Sequence, residues 1–179
     1  MAVTIAVISG VDPIEISANL TFYTGAPGRL EQVNVGQDFV AFVDYAHTPD
    51  AVINVLQSAR AMAKGKVIAV LGCGGDRDKS KRPLMGKALT AADFPIFTSD
   101  NPRSEDPKSI LQEMVEGISH SGEVIIDRRA AIAKAVAIAE PGDVIAILGK
   151  GHETGQEIAG VKHPFDDRKI LAEAIAGKK

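Results

Sequence analysis

Three apolar segments of this chain each run into a charged or glycine-rich loop, and the three loops make one chemical set. Val67-Ile68-Ala69-Val70-Leu71 leads into Gly72-Cys73-Gly74-Gly75-Asp76-Arg77-Asp78-Lys79. Phe94-Pro95-Ile96-Phe97-Thr98 leads into Asp100-Asn101-Pro102-Arg103. Val144-Ile145-Ala146-Ile147-Leu148 leads into Gly149-Lys150-Gly151-His152-Glu153. Arg77 and Arg103 suit carboxylates, because a guanidinium fork donates two parallel hydrogen bonds. Pro102 stiffens the loop that presents Arg103, and Asn101 offers both a donor and an acceptor. Asp100 and Glu153 are acceptors for an ammonium group, and Gly149 allows close approach of backbone. The set suits a zwitterion carrying carboxylate and ammonium groups. The alternative for each arginine alone is a surface ion pair of little consequence, Arg103 with Glu105 or Asp106 for example.

A further segment, Asp44-Tyr45-Ala46-His47-Thr48-Pro49, closes an earlier apolar run. Asp44 could accept from ribose hydroxyls and His47 could pack on a nucleotide. A turn-forming aspartate and a satisfied histidine fit the same spacing. Gly72-Cys73-Gly74-Gly75 lacks the third glycine of a dinucleotide fingerprint, and no G-x-x-x-x-G-K-[ST] phosphate loop occurs anywhere. His152-Glu153 has no second histidine at helical spacing, so it is not a zinc motif. His120 and His163 have no partner pattern and read as surface residues. Arg77, Lys79, Lys81 and Arg82 form a local basic cluster, for which a solvated loop is the simplest account. Cys73 has no histidine in suitable context and reads as a small buried residue rather than a nucleophile.

These loops need elements to hold them. Asp12-Pro13 predicts a short helix to about Leu20, following an apolar run over Ala2 to Ile8, and Phe22 to Arg29 reads as a loop. From residue 37 strand and helix alternate. Strands are predicted at Phe39 to Asp44, Lys66 to Leu71, Phe94 to Thr98, Val124 to Asp127 and Asp143 to Leu148, with Gln156 to Ala159 as a short edge strand. Helices are predicted from Pro49 to about Ala63, Arg82 to Ala91, Lys108 to Ile118, Arg128 to Ala139, and after Asp166 to about Ala176. Thr48-Pro49 and Asp106-Pro107 are cap-then-proline starts. Apolar strands without alternation, separated by helices, imply an α/β, Rossmann-like, mostly parallel sheet of about six strands with helices on both faces. Ligands of such sheets sit outside the carboxyl ends of the strands, so the loops should face one crevice.

With 45% hydrophobic and 24% charged residues, the 179-residue chain has the composition of a folded domain rather than a disordered one. A formal net charge of −3 gives no general attraction to nucleic acid or to an anionic membrane. Four per cent aromatics and no tryptophan argue against a base-stacking surface. The single cysteine excludes an internal disulfide and suits a reducing, cytoplasmic setting. No apolar run is of membrane-spanning length and no signal peptide is visible.

Taken in order, the motifs resemble the C-terminal region of the Mur ligases, of the MurE type. The matching stretches are Pro27 to Glu31, Val43 to Asp50, Gly72 to Pro83, Thr98 to Arg103, Asp127-Arg128-Arg129, Gly149 to Glu153, and Pro164 to Arg168. The resemblance implies a ligase that adds the third residue of the peptidoglycan stem peptide. There, ATP with Mg²⁺ activates a carboxylate of UDP-MurNAc-L-Ala-D-Glu and the amine of an amino acid attacks it. The Asp100-Asn101-Pro102-Arg103 form resembles members that use meso-diaminopimelate; an L-lysine-adding ligase is the alternative. By this resemblance Arg77, Asp100, Asn101, Arg103, Gly149 and Glu153 would bind the amino acid, with the arginines on its carboxylates. Arg29, Asp44 and His47 would lie on the nucleotide side. The resemblance also implies a UDP-binding domain and a central phosphate-loop domain, neither of which matches anything here. Residues 1–33 then read as the end of the central domain and a hinge, and 34–179 as the amino-acid-binding domain. The expected behaviour is of a substrate-binding piece with no catalytic residue of its own, inactive alone. A stand-alone amino-acid-binding regulatory domain would need the same crevice and no ATP.

Overall fold

The computed structural model describes residues 2–20, 25–118 and 122–178. In chain order the elements are α1 (Ala2–Ile8), α2 (Pro13–Leu20), β1 (Glu31–Gln32), β2 (Val40–Asp44), α3 (Pro49–Met62), β3 (Val67–Leu71), α4 (Lys81–Leu89) and β4 (Phe94–Phe97). They continue with α5 (Pro107–Val115), β5 (Glu123–Val124), α6 (Arg128–Ile138), β6 (Val144–Leu148), β7 (Gly155–Ile158), β8 (Val161–Pro164) and α7 (Asp167–Gly177). Six strands form one sheet in the order β1-β2-β6-β3-β4-β5. Only β1 runs antiparallel to its neighbour. The predicted Rossmann-like α/β fold with helices on both faces is what forms.

Side chains alternate across the pleat, which explains why the central strands are apolar throughout. Val67, Ala69 and Leu71 pack with Val52 and Leu56 of α3, Leu89 of α4 and Met114 of α5. Ile68 and Val70 point the other way, to Ile132 and Val136 of α6 and Leu171 of α7. Four of the helices that pack on the sheet start where a side-chain oxygen satisfies a free N–H group; α4 has no such cap. Thr48 accepts from Ala51 N–H at 3.3 Å, Asp106 from Lys108, Asp127 from Ala130 and Asp166 from Arg168. The register sets Asp44, Leu148, Leu71 and Phe97 side by side, so four strands end at one level. The loops that follow therefore share one rim.

Several expectations need correction. Asp127 is a helix cap, and the strand before it is only Glu123–Val124. The segment from Gly155 is not an edge of the main sheet. It pairs with β8, which the sequence did not announce, in a separate hairpin. The sixth strand of the main sheet is instead β1, from a stretch for which the sequence predicts no element. Arg82 is no solvated loop residue: it is 1% exposed and begins α4 facing inward. Part of the loop expected over Phe22 to Arg29, and His120, lie outside the described residues. His163 is exposed.

Candidate functional site

Residues from all four loops line a cleft of about 330 Å³. Arg77, Asp100, Asn101, Arg103, Gly149, Glu153 and His47 all border it, so seven of the nine candidate residues meet in one place. Asp44 and Arg29 do not border it.

The loops fit because backbone touches backbone. Gly75 donates its N–H to Asn101 O at 2.8 Å, and a side chain on Gly75 would collide with Pro102 O. Gly149 has φ +106°, a conformation that favours glycine, and faces an Asp100 carboxylate oxygen.

Arg103 also sits in the left-handed region, at φ +52°. A non-glycine residue is uncommon there and persists only where its surroundings hold it. The hairpin does so: Arg103 N–H donates to Glu157 O at 3.1 Å, and Ala159 N–H donates to Arg103 O at 2.7 Å. The Arg103 guanidinium donates from Nη1 to Gly75 O at 2.6 Å and lies 3.5 Å from Glu157. The alternative pairing with Glu105 or Asp106 does not form. Glu105 is engaged by Arg82 and Lys79, and Asp106 caps α5. Arg77 is exposed at the cleft edge, with no hydrogen bond or ion pair among the described residues.

The acidic end is differently built. Asn101 Nδ2 donates to Glu153 Oε2 at 3.0 Å. Asn101 Oδ1 accepts from Lys150 Nζ at 2.9 Å and from Glu157 N–H at 3.0 Å. Its acceptor capacity is therefore engaged within the protein, contrary to the expectation that Asn101 would offer both functions. Burial pushes the Glu153 carboxyl up, but hydrogen bonds from Asn101 and Lys150 outweigh this and hold it below its ordinary range. Burial pushes the Asp100 carboxyl up, against the opposing pull of Arg128 and Lys150. Cys73 borders the cleft, where burial, with the Asp100 charge adding, raises its thiol to about 12. A thiol so held is a poor nucleophile.

On the neighbouring rim, the Tyr45 ring is the centre of a small stack. The Arg29 guanidinium lies 5.3 Å from it, His47 4.8 Å and His152 5.3 Å, ring to ring for the histidines. His47 Nδ1 lies 2.9 Å from Tyr45 O, so this nitrogen carries the proton. Asp44 is buried and one of its carboxylate oxygens accepts from Leu30 N–H at 2.8 Å.

Three residues that organise the site escaped assignment from sequence. Lys150 was only part of a quoted loop. Arg128 and Asp167, each within a quoted motif, form an ion pair that is fully buried. Arg128 also donates to Leu148 O at 2.9 Å and to Ser99 O at 3.4 Å, tying α6 and α7 to the ends of two site loops. Arg82 ties the Gly74 carbonyl to Glu105 and Glu113 in the same manner. Among the described residues, no cluster of three His, Cys, Asp or Glu is placed to hold a metal ion, and no helix is long and apolar enough to cross a membrane.

The chain is 53% identical to a UDP-N-acetylmuramoyl-L-alanyl-D-glutamate–2,6-diaminopimelate ligase from Streptomyces coelicolor, over 97% of this chain and 36% of that protein. It is 50% identical to the enzyme of the same name from Aquifex aeolicus, over 98% of this chain and 37% of that one. A solved structure of a UDP-N-acetylmuramoyl-L-alanyl-D-glutamate–2,6-diaminopimelate ligase superimposes with a TM-score of 0.81 at 44% identity, over 98% of this chain and 37% of its own. This chain thus spans little more than a third of the length of these relatives. The family model described as "Mur ligase, glutamate ligase domain" matches residues 28–151, from the turn before β1 to the loop that carries Gly149 and Lys150. The chain belongs to the Mur ligase family.

Proposed function

We propose that this chain is the amino-acid-binding part of an ATP-dependent ligase that joins meso-diaminopimelate to UDP-MurNAc-L-Ala-D-Glu. One observation carries it: a single cleft sets the guanidinium groups of Arg77 and Arg103 against the carboxylates of Asp100 and Glu153. Meso-diaminopimelate has a carboxylate and an ammonium at each end. L-lysine lacks the distal carboxylate and would leave a guanidinium without a partner. A site built to pair a group discriminates strongly against an analogue lacking it.

In this reading Arg103 holds the distal carboxylate with Arg77 beside it, and Glu153 with Asp100 holds the distal ammonium. The other end of the amino acid then projects from the cleft toward the nucleotide side. The Tyr45 rim, with Arg29, His47 and the Asp44 oxygen that has no partner among the described residues, has the flat surfaces, a donor and an acceptor that a nucleoside needs. Its flat rings and single carboxylate fit the nucleoside end of ATP, while the phosphates and the Mg²⁺ that ATP carries belong in this reading mostly to the rest of the ligase. ATP, when bound, supplies the phosphoryl group that activates the acceptor carboxylate. This chain's part is to bind and orient the incoming amine. Residues 34–179 are the binding domain in this proposal, with 1–33 as its connection to the rest of a ligase.

Calorimetric titration of the chain with meso-diaminopimelate and, separately, with L-lysine tests it. Binding of the first, with the second at least about tenfold weaker, is the expected result. Equal affinities, or no heat with either, would remove the proposal.

A further inference from the structure

Lys150 is a buried cation to which the proposed binding of the amino acid gives no part. Its side chain is 0% exposed and it does not border the cleft. Taking an ammonium out of water is unfavourable unless it is paired and hydrogen-bonded. Here its Nζ reaches Asn101 Oδ1 at 2.9 Å, Glu153 Oε2 at 3.0 Å and Asp100 Oδ1 at 3.9 Å. Asn101 and Glu153 also bond each other, so the three side chains close a ring of contacts.

The ring removes two freedoms. Turning the Asn101 amide over would aim its NH₂ at two donors, the Lys150 ammonium and the Glu157 N–H, so only one orientation is satisfied. Glu153, whose side chain is 34% exposed at the cleft wall, has Oε2 held by two donors. Its Oε1 has no partner among the described residues.

We propose that Lys150 is a positioning residue: it locks Asn101 and Glu153 together so that Glu153 Oε1 is a fixed acceptor for an ammonium group of the ligand. The ligand's identity rests on the function proposed above; the lock itself does not. A lysine that mattered through charge alone would repel the ligand's ammonium, and removing it would tighten binding. A positioning lysine predicts the opposite sign.

Two measurements on the 179-residue chain decide this. In the first, without ligand, the Asn101 side-chain amide is followed by ¹⁵N–¹H NMR. The wild-type pair of signals should be dispersed and slow to exchange with water, and Lys150→Met should move it toward the position of a free asparagine amide. An exchange-averaged wild-type signal, or an unmoved signal in a folded variant, would overturn the lock; the wild-type signal decides the matter even if the variant does not fold. In the second, meso-diaminopimelate and 2-aminopimelate, which lacks one ammonium, are titrated calorimetrically. Lys150→Met should weaken meso-diaminopimelate by about tenfold or more, the scale of lost charged hydrogen bonds, and reduce its advantage over 2-aminopimelate. Unchanged or tighter binding by the variant would overturn the proposal. Wild-type chain that binds neither compound would sink the amino-acid reading, while the NMR result would still decide on Lys150.

Discussion

Replacing Arg103 by alanine separates recognition from scaffolding. The side chain is 22% exposed, so a carboxylate bound to it is partly desolvated. Truncating one partner of a buried hydrogen-bonded charge pair typically costs about 2–5 kcal/mol. The residual exposure places this pair at the lower end, about 2–3 kcal/mol, which is roughly 30- to 150-fold in affinity. The substitution also takes a donor from Gly75 O, the carbonyl of a buried glycine, at about 1–3 kcal/mol. That loss falls on the fold and should appear as a fall in melting temperature, separate from the loss of affinity. The φ of +52° is equally unfavourable for alanine, so backbone strain adds no large difference. The assay is the dissociation constant of meso-diaminopimelate for Arg103→Ala, with L-lysine measured alongside. A selective loss for meso-diaminopimelate is expected, since L-lysine has no distal carboxylate to lose. An unchanged constant, or an equal loss for both amino acids, would refute the assignment of Arg103 to that carboxylate.

Asp167→Ala should destabilise the chain by about 3–5 kcal/mol, because it strands Arg128 in a fully buried position; a urea midpoint close to wild type would contradict this. Glu105 is held down from an ordinary 4.5 to about 2 by hydrogen bonds from Arg82, then Asp76 N–H. A depressed carboxyl stabilises the fold above its unfolded value and loses that contribution as pH falls toward the folded one. The melting temperature should therefore fall between pH 4.5 and 2, and Glu105→Gln should make that fall shallower; identical slopes would count against it. Cys73, with its thiol raised to about 12, should react with iodoacetamide at pH 8 far more slowly in the folded chain than in urea. Comparable rates in both states would show the thiol to be open.

Most of the order of strands and helices was legible in the sequence because the central strands β2, β3 and β6 are short apolar runs rich in valine and isoleucine and most helices begin with an oxygen cap, several of them followed by proline. Such signals are local, and local chemistry survives into the fold. The convergence of Arg77, Asp100, Asn101, Arg103, Gly149 and Glu153 was also legible, since parallel strands of matched register end at one level. Strand pairing between distant segments was not. Glu31–Gln32 is too short and polar to announce itself, and becomes a strand only because β2 offers it an edge. The β7–β8 hairpin has exposed residues along all of β8, and its importance lies in gripping Arg103 by Glu157 and Ala159. Nothing in the residues near Arg103 encodes that grip. The buried charges are the clearest case. Lys150, Arg82 and Arg128 look like surface residues by type, and Asp44 like a free ligand group. Only the folded chain places a carboxylate or a carbonyl on each cation, and Leu30 N–H on Asp44. Burial of a charge depends on a partner tens of residues away, and sequence spacing carries no record of that distance.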